Sequence, residues 1–194
     1  MISRRYIAEW KANTLWPNDA QVEQDLVIER ALVELFSDDL IRKSLAFRGG
    51  TALHKIFMKP QVRYSEDIDL VQITAEPINP VLKLIRKKLK FLGTKRSVKQ
   101  NENNNTIAYR FESEIPFAVE NSWLSGSCNI ISYELEELPG TKLRALYQRR
   151  KGRDLFDLYW AITNHNLDSE KIIHCYKEYM NFVVKQSPTS KMFY

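Results

Sequence analysis

The sequence predicts an α+β fold, a small mixed β-sheet flanked by helices with a helical C-terminal part. Two observations carry this expectation. Short runs with strand-like patterning fall at 45–47, 68–71, 107–111 and 129–133, interleaved with helical segments. Beyond residue 133 only helical patterns remain, so the segregation is that of a sheet domain with appended helices. The division expected is an α/β core with N-terminal helices over 1–133 and a helical part packed on it over 134–194.

The elements follow in order. From Asn18 to Ser44, Val22, Leu26, Ile28, Ala31, Leu32, Leu35, Phe36 and Leu40 recur mostly every three or four residues among acids, which predicts one amphipathic helix or two. Leu45-Ala46-Phe47 reads as a short strand, Gly49-Gly50 as a tight turn, and Thr51 to Met58 as a helix that Pro60 closes. Ile68, Leu70 and Val71 around Asp67 and Asp69 predict a second strand, in which a period of two puts both aspartates on one face. Asn79-Pro80 opens a helix running to Leu92, stopped by Gly93.

Asn101 to Asn105 signals a loop, and Ile107, Tyr109 and Phe111 alternate with polar neighbours as a half-buried strand does. Another strand is expected over Asn129 to Tyr133, then a helix over Leu135 to Arg149 whose regular part starts near Pro139, since proline is tolerated in a first turn. Asp154 to Thr163 and Asp168 to Lys185 complete the chain as helices, the second capped by Asp168.

Composition narrows the class. With 194 residues, 44% of them apolar, the chain is long enough for a buried core. A formal charge of +5 points to an anionic partner. Eight lysines and arginines between Lys83 and Lys99, without one acid, would make either a solvated helix face or a track for RNA phosphates. Cys128 and Cys175 have no zinc-ligand spacing and His54, His165 and His174 no ligand grouping, so all are read as structural. No run approaches the roughly 18 apolar residues of a membrane span, and no signal-peptide pattern opens the chain. A cytoplasmic protein with no membrane partner is therefore expected.

The chemistry concentrates in two constellations. The first is Gly49-Gly50-Thr51 followed by Arg63-Tyr64-Ser65-Glu66-Asp67-Ile68-Asp69-Leu70. A glycine turn lets triphosphate oxygens reach bare backbone N–H groups. Two converging carboxylates can share a pair of Mg²⁺ ions about 3.5 to 4 Å apart across an in-line displacement. The second constellation is Lys142, Arg144, Arg149, Arg150, Lys151, Arg153, Asp154 and Asp157, with six basic groups against one acid from 142 to 154. From the residues alone two readings are open for Lys142, Arg153 and Asp154: cations that hold triphosphate oxygens with an acid that orients one of them or the attacking group, or a salt-bridged helix surface. Arg149, Arg150 and Lys151 are read as a salt-bridged surface.

These motifs together, with Phe47-Arg48-Gly49-Gly50-Thr51-Ala52-Leu53, Leu135-Glu136-Glu137-Leu138 and Lys151-Gly152-Arg153-Asp154-Leu155-Phe156-Asp157-Leu158, resemble the AbiEii family. These are nucleotidyl transferase toxins of type IV toxin–antitoxin and phage-defence systems. The resemblance implies a polymerase-β-like nucleotidyltransferase core, Mg²⁺, a nucleoside triphosphate as donor, RNA such as the tRNA 3′ end as acceptor, and a cognate antitoxin. It assigns Gly49, Gly50 and Thr51 to the phosphate turn and Asp67 and Asp69 to the metal. Lys142 and Asp154 match active-site positions, and Arg63 and Ser65 match an Arg-x-Ser beside the metal pair, where nucleotide contact and packing are both open for Ser65.

One departure stands out. Family members carry a third carboxylate on a long strand after the aspartates, and that segment is not evident here. The chain runs from Arg110 to Glu114 straight into Ile115-Pro116-Phe117, as if a hairpin had been lost. Glu112 is the expected substitute metal ligand, ahead of Glu114. Alternatives to RNA transfer are a weakened or inactive RNA- or protein-binding module, and transfer to a protein hydroxyl.

Overall fold

The computed structural model describes residues 2–92, 113–181, 184 and 188. Its sheet has four strands in the order β2-β1-β4-β3, with β1 Leu45–Arg48, β2 Asp69–Gln72, β3 Ser113–Glu120 and β4 Ser125–Ser132. β1 pairs antiparallel with β2 and parallel with β4, and β4 pairs antiparallel with β3, so the sheet is mixed as expected. Eight α-helices surround it among the described residues: α1 Arg4–Lys11, α2 Asp19–Phe36, α3 Asp39–Ser44, α4 Gly49–Ala52, α5 Asn79–Lys88, α6 Glu137–Arg149, α7 Gly152–Asn164 and α8 Ser169–Asn181.

The central position of β1 explains its sequence. Leu45, Ala46 and Phe47 are all buried because the strand is covered on both faces, which calls for a continuous apolar run. Leu45 and Phe47 join a cluster with Ile28, Leu32, Leu35 and Phe36 of α2, Ile41 of α3 and Val81 of α5. Ala46 faces the other way, into a cluster with Leu53, Met58, Tyr133, Leu138 of α6, Ala161 of α7 and Tyr179 of α8. Alternation along one short strand thus divides the protein into a helical layer before the sheet and another after it.

Several expectations are corrected. α1 has no counterpart in the sequence reading; it packs Ile7 with Ile2, Trp16, Val22 and Leu26 in a third cluster against α2. The helix after the glycine turn starts at Gly49 instead of Thr51, and from Leu53 to Phe57 it widens into a π-helix, closed by Met58 N–H donating to the Leu53 carbonyl at 3.1 Å. Ser113–Glu120 and Ser125–Ser132 form an antiparallel hairpin. β3 runs straight through Pro116, which pairs with Asn129, and among the described residues it is an edge strand with one neighbour to hydrogen-bond, where proline is tolerated. The strand expected at 129–133 is correspondingly longer, beginning at Ser125.

Other expectations match. α2 and α3 are the two-helix option for 18–44. Asp168 Oδ1 accepts from the backbone N–H groups of Glu170 and Lys171, capping α8. Pro139 sits in the first turn of α6. The expected strand at 107–111, Gly93, Glu112, and Lys95, Arg96 and Lys99 of the basic stretch lie outside the described residues.

Candidate active site

Four elements converge at the C-terminal end of β1. The strand delivers Arg48 and the glycine turn, and Gly49 takes a φ of +85° that a side chain rarely adopts. Directly opposite, Arg48 pairs with Asp69 at the start of β2. A Cβ at Gly49 would stand 2.4 Å from Asp69 Oδ2, and one at Gly50 would stand 2.6 Å from Arg63 Nη2 and 3.0 Å from Lys142 Nζ. Gly49 is therefore required by its backbone conformation and by Asp69, while at Gly50 a side chain would displace the ends of Arg63 and Lys142.

β2 begins only at Asp69, so the two aspartates do not share a strand; Asp67 lies in the segment before it, which is neither helix nor strand. They nonetheless line the same cavity, of about 360 Å³, with Gly50, Thr51, Arg63, Tyr64, Ser65, Glu66, Lys142, Arg149 and Arg153. Both carboxylates are exposed to it. The segment before them is tied to α2, since Tyr64 Oη donates to Gln24 Oε1 at 2.6 Å and Gln24 Nε2 donates to the Glu66 carbonyl at 2.7 Å. Ser65 is buried, and its hydroxyl has no hydrogen-bond partner among the described residues.

The far wall comes from α6 and α7, and a buried ion network fixes it. Asp157, fully buried, accepts from Arg63 Nε at 2.7 Å and from Lys142 Nζ at 2.7 Å, and its Oδ1 lies 3.0 Å from His54 Nε2. Asp154, equally buried, accepts a two-pronged bond from Arg149 at 2.7 and 2.8 Å and lies 3.3 Å from Lys142 Nζ. Burial alone would raise the Asp157 carboxyl, but the His54 hydrogen bond and the Lys142 and Arg63 charges outweigh it and hold the group well below the ordinary carboxylate range. Asp154 is likewise lowered, burial being offset by Arg149 and Lys142. An ionised Asp157 accepts only, so His54 donates from Nε2, and its Nδ1 is left buried without a partner.

Of the residues singled out in the sequence, Gly50, Thr51, Arg63, Ser65, Asp67, Asp69, Lys142 and Arg153 line this one cavity, and Asp154 stands behind Lys142. Arg149, read as surface, belongs to the wall. Asp157 was counted in the second constellation without a role of its own, and His54 was read as structural. The signal for Asp157 was its place three residues after Asp154, one helical turn on and on the same face. His54 carried no signal, because the π-helix turns both it and Lys55 inward; Lys55 pairs with Asp25 at 2.6 Å.

Magnesium fits this wall in one respect and lacks support in another. Mg²⁺ keeps several waters and takes one or two carboxylates together with substrate phosphates, a donor set that Asp67, Asp69 and a triphosphate would supply. Among the described residues no group of three or more His, Cys, Asp or Glu side chains is gathered to hold a metal. β4, the strand beside β1, carries no acid from Ser125 to Ser132.

A mixed four-stranded sheet with helices on both faces, and a glycine turn leaving its central strand, is consistent with an α+β nucleotidyltransferase-like fold. The chain belongs to the nucleotidyl transferase AbiEii toxin family of type IV toxin–antitoxin systems, whose family model matches residues 30–117 and 107–191. No curated protein and no solved structure matches the chain. Among the described residues no helix is long and apolar enough to cross a membrane.

Proposed function

We propose that this chain moves a nucleotide from a nucleoside triphosphate to an acceptor hydroxyl on RNA, the tRNA 3′ end being the acceptor the family suggests, as the toxin of its system. The observation that carries the reading is the single cavity in which Asp67 and Asp69 face Arg63, Lys142, Arg149 and Arg153 around a glycine turn. In the reaction the acceptor oxygen bonds to the α-phosphorus, the bond from that phosphorus to the bridging oxygen breaks, pyrophosphate leaves and the hydroxyl proton passes to water. Asp67 and Asp69 would hold Mg²⁺, which supplies charge neutralisation at the phosphates. Glu112 remains the candidate third ligand.

The protein's own contribution is position and charge. Gly49 and Gly50 let phosphate oxygens reach the backbone. Lys142 and Arg149, fixed by Asp154, and Arg63, fixed by Asp157, present cations that need no reorganisation when the triphosphate arrives. Arg153 reaches the same space from the first turn of α7. Triphosphates and RNA meet in the cytoplasm, which is where the reaction belongs.

The test is incubation with each of the four labelled triphosphates, Mg²⁺ and total RNA, followed by separation of RNA from protein. Label in RNA is the expected result, label in protein would move the acceptor to a protein hydroxyl, and no transfer from any triphosphate would reject the reading. A second reading, RNA binding without catalysis, draws on the acid-free β4. It predicts that triphosphate and Mg²⁺ leave the melting temperature unchanged.

Gly49→Ala offers a sharper check on the turn. Left-handed backbone costs an L-residue about 1–2 kcal/mol, and the added methyl would push the Asp69 carboxylate aside. Transfer is expected to fall on the order of 10²-fold, beyond what the small drop in melting temperature explains. Near-normal turnover would show that Asp69 need not stay where it is.

A further inference from the structure

A second cavity, of about 200 Å³, meets the first at Gly50, Asp69, Lys142 and Arg149. Its own walls are Arg48, Gly49, Thr141, Arg144, Ala145 and Gln148. Nothing assigned so far uses Arg48 or Arg144. Both are half-buried, and neither makes an ion pair or side-chain hydrogen bond among the described residues. Arg48 Nη1 and Arg144 Nε are both buried from water without a partner.

The arrangement is costly as it stands. Burial and the neighbouring Arg48 charge both disfavour the cation on Arg144, and its compensation is the face of the Tyr179 ring, 5.5 Å away. Two guanidiniums in one partly dry cavity, with donors left over, are complementary to an anion, and the forked donor geometry matches a phosphate. Asp69 is the one acid on this wall, and in the reading above it serves the metal.

Which phosphate belongs there follows from the reaction. In-line displacement puts the attacking and leaving oxygens on opposite sides of the phosphorus. The first cavity has Arg63, Lys142, Arg149 and Arg153 for the donor's phosphates. The acceptor must then approach Asp69 from the side the donor does not fill, where the second cavity opens.

We infer that Arg48 and Arg144 form an acceptor subsite that grips a backbone phosphate of the incoming polynucleotide beside its reactive hydroxyl. The inference rests on the nucleotidyl-transfer reading for its placement, but the contact itself exists without turnover.

The test therefore measures binding of a short single-stranded RNA oligonucleotide, with neither triphosphate nor metal present, across a salt series. In the Arg48→Gln, Arg144→Gln chain, affinity is expected to fall on the order of 10- to 100-fold. The slope of log affinity against log salt should flatten by about 1.4, two phosphate-pairing charges having been lost. Arg48→Lys, Arg144→Lys should keep the slope. Should the double glutamine chain not fold, Arg48→Gln alone, at a half-exposed position, is expected to flatten the slope by about 0.7.

The donor is followed in parallel by the melting-temperature shift that triphosphate and Mg²⁺ produce, which should survive both substitutions. Loss of that shift, alone or with RNA affinity, would assign the two guanidiniums to the donor and overturn the inference. Unchanged RNA affinity and slope would overturn it as well. If RNA binding follows the arginines while the wild type transfers nothing, the subsite stands and the nucleotidyl-transfer reading falls.

Discussion

Asp69→Asn is expected to lower nucleotide transfer by at least about 10³-fold, equivalent to roughly 4 kcal/mol of lost transition-state stabilisation, while leaving the melting temperature within about 2 °C of the wild type. The asymmetry follows from exposure. Asp69 opens to both cavities and accepts no hydrogen bond that the fold depends on, so an isosteric amide removes charge without unpacking anything. What it removes is one of the carboxylates, with Asp67 and Glu66, that share a cavity with Arg63, Lys142, Arg149 and Arg153. Asp67→Asn should act in the same direction and less severely, because Asp67 lines the first cavity alone. Transfer by Asp69→Asn at the wild-type rate, measured with labelled triphosphate at saturating Mg²⁺, would remove the carboxylate from the chemistry altogether.

Much of this site was legible because the chemistry is local in the chain. Gly49-Gly50 had to be a turn, and Asp67 and Asp69 are close in sequence, so their convergence needed no tertiary information. Their exact relation did. The sequence argument placed both on one strand face, whereas β2 starts at Asp69 and the approach of Asp67 is set by the Tyr64 and Gln24 hydrogen bonds to α2.

What could not be read depends on long-range pairing or on backbone irregularity. No strand was expected through Pro116, and the strand order among the described residues puts β3 at an edge, where a proline that cannot donate to a ladder is tolerated. Helical periodicity put His54 and Lys55 on a regular helix; the π-helix changes the angular spacing and turns both into buried ion networks. Arg149 looked like one of several surface cations until Asp154, five residues on across a left-handed cap at Arg150, was seen to hold it in the cleft.

Asp157 carries the largest expected effect on stability. It is fully buried and holds three basic side chains from three separated parts of the chain, His54 of the π-helix, Arg63 before β2 and Lys142 of α6. Asp157→Asn leaves Arg63 and Lys142 without that anion and sets an amide N–H₂ against at least one donor. Removing one partner of a buried ion network typically costs about 3–5 kcal/mol, which for a chain of this length lowers the melting temperature by about 6–20 °C.

The pH dependence has a definite sign. Because the folded-state carboxyl of Asp157 is held below its unfolded value of 3.8, the unfolded chain binds the proton more tightly. Its stabilisation is fully present above that value and is lost as pH falls through the lower, folded one. The wild type should therefore lose stability steeply on acidification below about pH 4, and the Asp157→Asn chain, already lacking the contribution, should show a shallower profile there. Asp154, also lowered, keeps some acid dependence in both. Melting curves of the two chains across acid and neutral pH decide the matter. Equal melting temperatures at neutral pH, or parallel acid profiles, would mean that Asp157 is not the anchor of the cavity wall, and that Lys142 and Arg63 are positioned by packing alone.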